Sequence, residues 1–380
     1  MPLIPRGSAA FLLLAAMAAL LGGAVGLLAL TATSGDEGTR PAATGLVAPR
    51  GLHPLPDGGL LIAEGGGRIL RLDPDGVLQT VAEQLPTATS TLYGGMYTIG
   101  PSGVAFAGGA YYFVVGEFRD KGFREAYRYE PGGRPVRLTG QDPLGLEPPN
   151  FLTNPYDLAV DPDGSLLVSD SGINAVLRVN TAGEVSKYVD IAPLTGVAST
   201  DLDSVPTGLT RGPDGALYVG ILSGHPYPEG AARIYRLEDR NGDGDAMDEG
   251  ETTVYADGFT AVTDVTFDAD GSLLVTEMSN DLATLDDQGY ARSTEYPGRL
   301  VRWRGEGQEV EVVADGLFSP TALAVSADGD VFVSEEFAGR VIRIGKGSPA
   351  PFGFLYPLIG ALAALLAVVA ARWASRRSWR

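Results

Sequence analysis

NPYDLAVDPDGSLLVSDSGINAVLRV, Asn154 to Val179, holds three short apolar runs separated by tight punctuation. LAV leads to the turn DPDG, then LLVSD, then the turn SGIN, then AVLRV. Alternation and β-branched residues predict strands. Asp-Gly predicts a tight hairpin turn, because Gly accepts positive φ without a Cβ clash. The stretch reads as a three-strand meander.

The same wording returns along the chain. Turn landmarks fall at Pro56–Gly58, Ala107–Ala110, Pro162–Gly164, Pro213–Gly215, Asp268–Gly271 and Ser326–Gly329, 51 to 58 residues apart. That is near the period of propeller blades. A proline leads five of the six first strands (Pro49, Pro101, Pro155, Pro206, Pro320), and Val262 takes its place in the fifth unit. Proline fits the first residue of a strand, where its missing N–H costs least. Third strands share a basic–apolar alternation, as in RILRL, AVLRV and RVIRI. Fourth strands read LQTVAEQL, PVRLTG, VSKYVDI, TTVYADG and VEVVADG. The sixth unit lacks one, and Ala43–Pro49 before the first unit is expected to pair with RVIRI and close the ring. The fold class is therefore all-β, a six-bladed β-propeller over 43–345 whose N-terminal strand completes the last blade, and a β-sandwich is the alternative.

Strand direction alternates, so the two faces can be told apart. The connections from strand four to one and from strand two to three share one face, here called the top. The long segments, such as 86–100, 141–154, 191–205, 223–230 and 278–298, are mostly top, and the turns between strands one and two are short. Long loops on a rigid scaffold are where binding usually sits.

The ends have a different composition. Ala9 to Leu30 is apolar and follows Arg6, so 1–34 reads as a signal peptide or an uncleaved anchor. Phe352 to Ala371 is long enough to span a hydrocarbon core, which predicts a transmembrane helix over 352–372. Arg372, Arg376, Arg377 and Arg380 place the tail 373–380 in the cytoplasm and the propeller outside, at the cell membrane. Of 28 basic residues five lie in these tails, leaving 23 against 47 acids and a net charge of −24 in between. Such a surface repels nucleic acid and favours cations, neutral molecules or basic proteins as partners. There is no cysteine, which excludes disulfides and thiolate chemistry.

NPYDLAVDPDGSLLVSDSG and VPTGLTRGPDGALYVGILSGHPYPEGAARIYRL (Val205–Leu237) resemble the ScyD/ScyE family of exported propeller proteins, which is related to NHL and gluconolactonase-like (SMP-30) propellers. The resemblance covers about 45–345 and implies a six-bladed fold and export. It implies no established reaction and brings no catalytic residues. In gluconolactonase-like relatives the residue after the leading proline is often Asn or Asp and holds a catalytic divalent metal. The residues here are Arg50, Ser102, Tyr156, Thr207, Thr263 and Thr321, none a good metal ligand.

Asp157 and Asp264 stand one position further on, where other units carry Gly or Ala. Facing the axis, they suit a cation or polar ligand, or hydrogen bonds to channel waters and neighbouring backbone. Five second strands end in an acid, Glu64, Glu117, Asp170, Glu277 and Glu335, which reads as repeated turn capping or as an acidic rim. His53 lies in the first strand of unit one, and His225 lies in the top loop beside Tyr227. Asp239, Asn241, Asp243 and Asp245 take positions 1, 3, 5 and 7 of a calcium-type loop, with Gly244 at 6 and Asp248 nearby. Position 12 is Gly250 rather than Glu, so Asp248, Glu249 or Glu251 has to complete the shell of a structural Ca²⁺.

The expected function is a membrane-tethered extracytoplasmic propeller that binds an unknown small molecule or protein on its top face without catalysis. The expected ligand-binding residues are Arg50, Asn154, Tyr156, Asp157, Asp170, Thr207, His225, Tyr227 and Asp264. The alternative is a lactone hydrolase of the gluconolactonase type or a quinone-dependent sugar dehydrogenase.

Overall fold

The computed structural model describes residues 39–90, 97–116, 124–139, 151–224, 227–278 and 298–345. Six four-stranded antiparallel sheets make the six blades. Their first strands begin at Pro49, Pro101, Pro155, Pro206, Val262 and Pro320, the positions marked by the sequence repeat. Their second strands, Leu60–Glu64, Ala110–Val115, Leu166–Asp170, Leu217–Ile221, Leu273–Glu277 and Val331–Glu335, are buried almost throughout. Both faces of a second strand are covered, which explains continuous runs such as LLVSD where a half-buried strand would alternate.

The core is six apolar layers, each between adjacent blades. One packs Leu167 and Val176 of blade three on Leu217 and Val219 of blade four. Another packs Leu61 and Ile69 of blade one on Phe113 and Tyr127 of blade two. A third, at the seam of blades six and one, joins Val341 to Ile62 and Leu70.

Closure is made by Thr39–Thr44, which pairs antiparallel with Arg340–Ile344. The closing strand thus ends before most of the segment expected from sequence. Gly45 (φ +73°) and Ala48 (φ +51°) take left-handed conformations that interrupt a strand. The stretch between them is the connection to blade one, held by Leu46 N donating to Gly339 O at 2.9 Å. The outermost position tolerates Pro41 because a missing N–H is harmless on an edge. The fourth strand of blade two is only Val136–Arg137. Among the described residues no helix is long and apolar enough to cross a membrane. The apolar runs Ala9–Leu30 and Phe352–Ala371, and with them the expected terminal helices, lie outside the described residues.

The third-strand R-x-x-R spacing has a physical cause at each end. The first arginine faces the acid that ends strand two: Glu64 opposite Arg68, Glu277 opposite Arg299, Glu335 opposite Arg340. Each glutamate is at most 1% exposed. One carboxylate oxygen accepts the arginine Nε–H. The other accepts a backbone N–H from the preceding connection: Val47 (2.7 Å), Thr260 (2.7 Å) and Phe318 (2.6 Å). The second arginine reaches an acid in the bottom turn, as Arg71 does Asp57 and Arg302 does Asp268.

Glu277→Ala removes the buried partner of both Thr260 N–H and Arg299. It should destabilise the fold by about 3 kcal/mol, because a buried donor and a half-buried guanidinium lose their acceptor. Arg299→Ala leaves the fully buried Glu277 carboxylate without its counter-charge and should likewise cost about 3 kcal/mol. Urea unfolding midpoints of the two variants against wild type check both losses.

Candidate functional site

The first strands surround the axis. In every blade the pairing register slips directly after the leading residue: Pro49/Gly51, Pro101/Val104, Pro155/Asp157, Pro206/Leu209, Val262/Asp264 and Pro320/Ala322. A bulge leaves its extra residue unpaired and re-aims the side chain. The residues so freed include Arg50, Ser102, Tyr156, Thr207, Thr263 and Thr321. Three hydroxyls become an inter-blade belt. Ser102 Oγ donates to Pro155 O (3.4 Å), Thr207 Oγ1 to Val262 O (2.8 Å) and Thr263 Oγ1 to Pro320 O (2.9 Å). Thr207, expected to touch a ligand, is 1% exposed and also lies 3.1 Å from Gly220 O.

Tyr156 and Arg50 behave differently. Tyr156 OH donates to Thr321 O at 3.2 Å. Blades three and six are opposite in a six-membered ring, so this phenol bridges the axis. Arg50 Nε donates to Glu336 Oε1 at 3.0 Å, with side-chain exposures of 13% and 6%.

Asp157 and Asp264 share the cavity wall with Arg50, Ser102, Tyr156 and Thr321. Each carboxylate reaches the innermost edge of the next blade. Asp157 Oδ2 accepts from Leu209 N at 3.1 Å, and Asp264 Oδ2 accepts from Leu323 N at 2.7 Å. Asp264 Oδ1 also accepts from Val265 N at 2.7 Å. On the other side each packs on a glycine of the preceding blade. A Cβ on Gly103 would lie 2.6 Å from Asp157 Cα, and one on Gly208 would collide with the Asp264 carboxylate. Burial pushes the Asp157 carboxyl up to about 6, against the pull of the Leu209 N–H. Burial, then the charge of Asp157, holds Asp264 well above the usual carboxylate range. The space left between these groups is about 10 Å³, room for one water.

The remaining expected residues are spread over the top. Asp170 is fully buried and caps its connection, accepting from Thr153 N (2.6 Å), Asn154 N (2.9 Å) and Gly172 N (3.0 Å). Asn154 O in turn accepts from Ser171 N. Tyr227, with φ +54°, donates its N–H to Gly224 O. His225 and Glu117 lie outside the described residues. His53 is hydrogen-bonded to the Phe106 backbone, and burial lowers its pKa to about 4, so it is neutral at pH 7.

On the bottom, the acidic loop of blade four closes on itself. Asp239 accepts from Gly242 N (2.6 Å) and Gly244 N (2.9 Å), and Asp245 from Met247 N (2.9 Å). Asn241 Nδ2 donates to both Asp243 (2.9 Å) and Asp248 (2.6 Å). Glu251, 3% exposed, accepts from Arg240 N and Asp248 N. Among the described residues no three acidic or imidazole side chains converge as a ligand set.

Glu336 is the axial residue that sequence reasoning missed. Its signal was a second acid directly after Glu335, where units one, three and five carry Gly65, Ser171 and Met278, together with the lone basic bulge residue Arg50 across the closure.

Among the described residues the blades define a six-bladed β-propeller. Solved structures agree on the fold. A Thermus thermophilus protein assigned as an oxidoreductase (glucose dehydrogenase) is similar at 20% identity and TM-score 0.53, covering 80% of this chain and 99% of that one. A gluconolactonase from Xanthomonas campestris is similar at 16% identity and TM-score 0.51, covering 81% and 88%. The PQQ domain of pyranose dehydrogenase from Coprinopsis cinerea is similar at 13% identity and TM-score 0.50, covering 81% and 95%. No family model and no curated protein matches the chain. The resemblance to ScyD/ScyE proteins therefore rests on the residues quoted above.

A carboxyl whose folded pKa is raised favours the native state below its unfolded pKa, and loses that contribution as pH rises through the folded one. For Asp157 the window runs from the ordinary carboxylate value to about 6. Wild type should therefore lose stability relative to Asp157→Asn between about pH 4 and pH 6.5, read as the difference of their melting temperatures. A pH-independent difference would contradict this.

Proposed function

We propose that this chain is a membrane-tethered extracytoplasmic propeller that binds a ligand or protein on its top face and does no chemistry on its axis. The closed axis carries the reading. Pockets for small molecules run to roughly 300–1,000 Å³, whereas Tyr156 leaves room for one water at the axis. Asp157 and Asp264 spend carboxylate oxygens on backbone N–H groups. The wording of units three and four supports reading the chain as a relative of the ScyD/ScyE proteins.

The second reading is a lactone hydrolase or sugar dehydrogenase. It is favoured by two carboxyls of raised pKa on the axis of a fold that a gluconolactonase and a dehydrogenase domain share. The bottom loop is proposed as a structural Ca²⁺ site, in which rotation of the Asn241 amide replaces its two N–H contacts by an oxygen ligand. Thermal shift of the full chain against divalent ions and a metabolite extract tests these readings together. Ca²⁺ should raise the melting temperature and Asp243→Ala should abolish the effect; an unchanged temperature between chelator and millimolar Ca²⁺ sinks the calcium site. Stabilisation by extract without turnover supports binding. Lactone hydrolysis lost in Asp157→Asn and Asp264→Asn establishes the enzyme instead.

The tether is supported by the register of the closing strand. Thr39 is the partner of Ile344, so the described chain begins and ends side by side at the bottom face. The top loops then face away from the membrane. Ser223 is buried, so exposed positions are the better probes. Glu229→Cys on the top should react with a bulky impermeant thiol reagent on intact cells faster than Met247→Cys on the bottom. The reverse order rules the orientation out.

A further inference from the structure

The axis leaves room for one water, but a cavity of about 300 Å³ opens on the bottom, at the seam of blades six and one. That volume reaches the range of small-molecule sites. The way the ring closes accounts for it. In blade one the turn Asp73–Gly76 joins strands three and four at the bottom, closed by Gly76 N donating to Asp73 O at 3.0 Å. Blade six takes its fourth strand, Thr39–Thr44, from the other end of the described chain, so no such turn links it to Arg340–Ile344. The corner is bounded instead by Arg40, Pro41 and Ala42 of the closing strand, by Arg343 beside them, and by the blade-one turn.

Its lining has an apolar part and a charged part. The apolar part is the bottom end of the layer between these two blades. Leu60 and Leu72, a cross-strand pair of blade one, line the cavity, and Phe332 and Ala42 pack half-buried against the same layer. Some of the charges are spoken for within the fold. Arg343 holds Asp330, as Arg71 and Arg302 hold acids of their own bottom turns. Asp73 Oδ1 accepts from Val77 N at 2.7 Å. Asp75 of blade one, Asp328 of blade six and Arg40 of the closing strand are left. All three are exposed, line the cavity, and have no hydrogen bond or ion pair to any described residue.

We propose that the seam cavity binds a free amino acid with an apolar side chain. The ammonium group is received by Asp75 and Asp328, and the carboxylate by Arg40, whose planar fork suits two parallel bonds to one carboxylate. The side chain lies on Phe332, Leu60 and Leu72. A simple cation would leave Arg40 without a partner, and a simple carboxylate would meet two like charges. Residues from both ends of the ring build the cavity, so only the closed propeller binds the ligand, and binding stabilises closure by mass action. The cavity lies on the bottom, so this inference goes beyond the top-face reading and does not depend on it.

The test measures melting of the full chain with three probes at matched ionic strength. L-Leucine carries both charges, L-leucinamide lacks the carboxylate, and 4-methylpentanoate lacks the amine. Leucine should raise the melting temperature of wild type by about 2–3 °C at tenfold its dissociation constant. Leucinamide should do less, and 4-methylpentanoate nothing. In Arg40→Gln the leucine response should fall to that of leucinamide. In the double variant Asp75→Asn, Asp328→Asn it should vanish. All three positions are exposed, so the variants are expected to fold as wild type does. Glu306→Gln with Glu309→Gln removes the same charge elsewhere on the surface and should leave the response intact. A wild type that ignores leucine, equal shifts by the three probes, or a response undiminished in Arg40→Gln or in the aspartate double variant overturns the proposal. So does an equal loss in the Glu306, Glu309 control, which would mark a general charge effect. A top-face ligand found by other means leaves each of these outcomes unchanged.

Discussion

A carboxylate buried at the top end of the second strand ties a blade to the connection before it. Charge in such a place costs several kcal/mol unless it is satisfied from more than one side. Glu277 is satisfied by Thr260 N–H on the connection and Arg299 on its own sheet. The tie fixes the chain two residues before the next first strand. It thereby supports a conformation that local preference disfavours: Ala48, Ala261 and Ser319 sit at φ 51°, 48° and 50° directly ahead of a leading residue, and Val205 takes φ 54° in blade four, where the Asn174 side-chain oxygen stands in for the carboxylate. Left-handed non-glycine residues cost of order 1 kcal/mol or more each and persist only where surroundings over-determine them. From that turn follow the bulge, the hydroxyl belt and the side chains on the axis.

The repeat was legible because its causes are local. Turn glycines, leading prolines and apolar second strands are each set within one unit, so six copies of one pattern reveal the ring. Cross-blade features were legible only when they left an odd residue behind. Asp157 and Asp264 stood out because other units have Gly or Ala there, but the reason, an N–H of the following blade, belongs to a neighbour more than 50 residues away in sequence. Tyr156 looked like a ligand contact and is instead a bridge to Thr321 O, a backbone atom that no side-chain pattern encodes. The closing strand was placed a few residues late, because ATGLVAP has strand-like residues while its conformation is decided by Gly339 O and by the Glu64 carboxylate, far along the chain or across a turn.

The propeller shape is shared with enzymes, and shape alone does not carry chemistry. What an axial enzyme needs is space for a substrate and side-chain oxygens or nitrogens not already engaged. Here the positions that turn inward are filled by residues that bond to one another or to backbone. Arg50 takes Glu336, Tyr156 takes Thr321 O, and Thr207 takes Val262 O. An opening of this centre would have to break the Tyr156 bridge and the largely buried Arg50–Glu336 pair together, since both reach blade six. Their shared dependence on that blade, the one completed by the chain's own N-terminal strand, makes the axis as firm as the closure of the ring.

Repetition also supplies a scale for judging single residues. A position that recurs with one partner in several blades shows what the scaffold needs there; a unit that departs from it has been released from that need. Asp157 and Asp264 depart in side chain and are compensated by Gly103 and Gly208 in the preceding blades, so their departures close within the fold. Arg50 departs and is compensated by Glu336. Ile221 departs too, and there the tie is made otherwise: Ile221 joins the apolar layer with Leu209 and Val219, and Asn174 Oδ1 accepts the Val205 N–H of the connection at 2.9 Å.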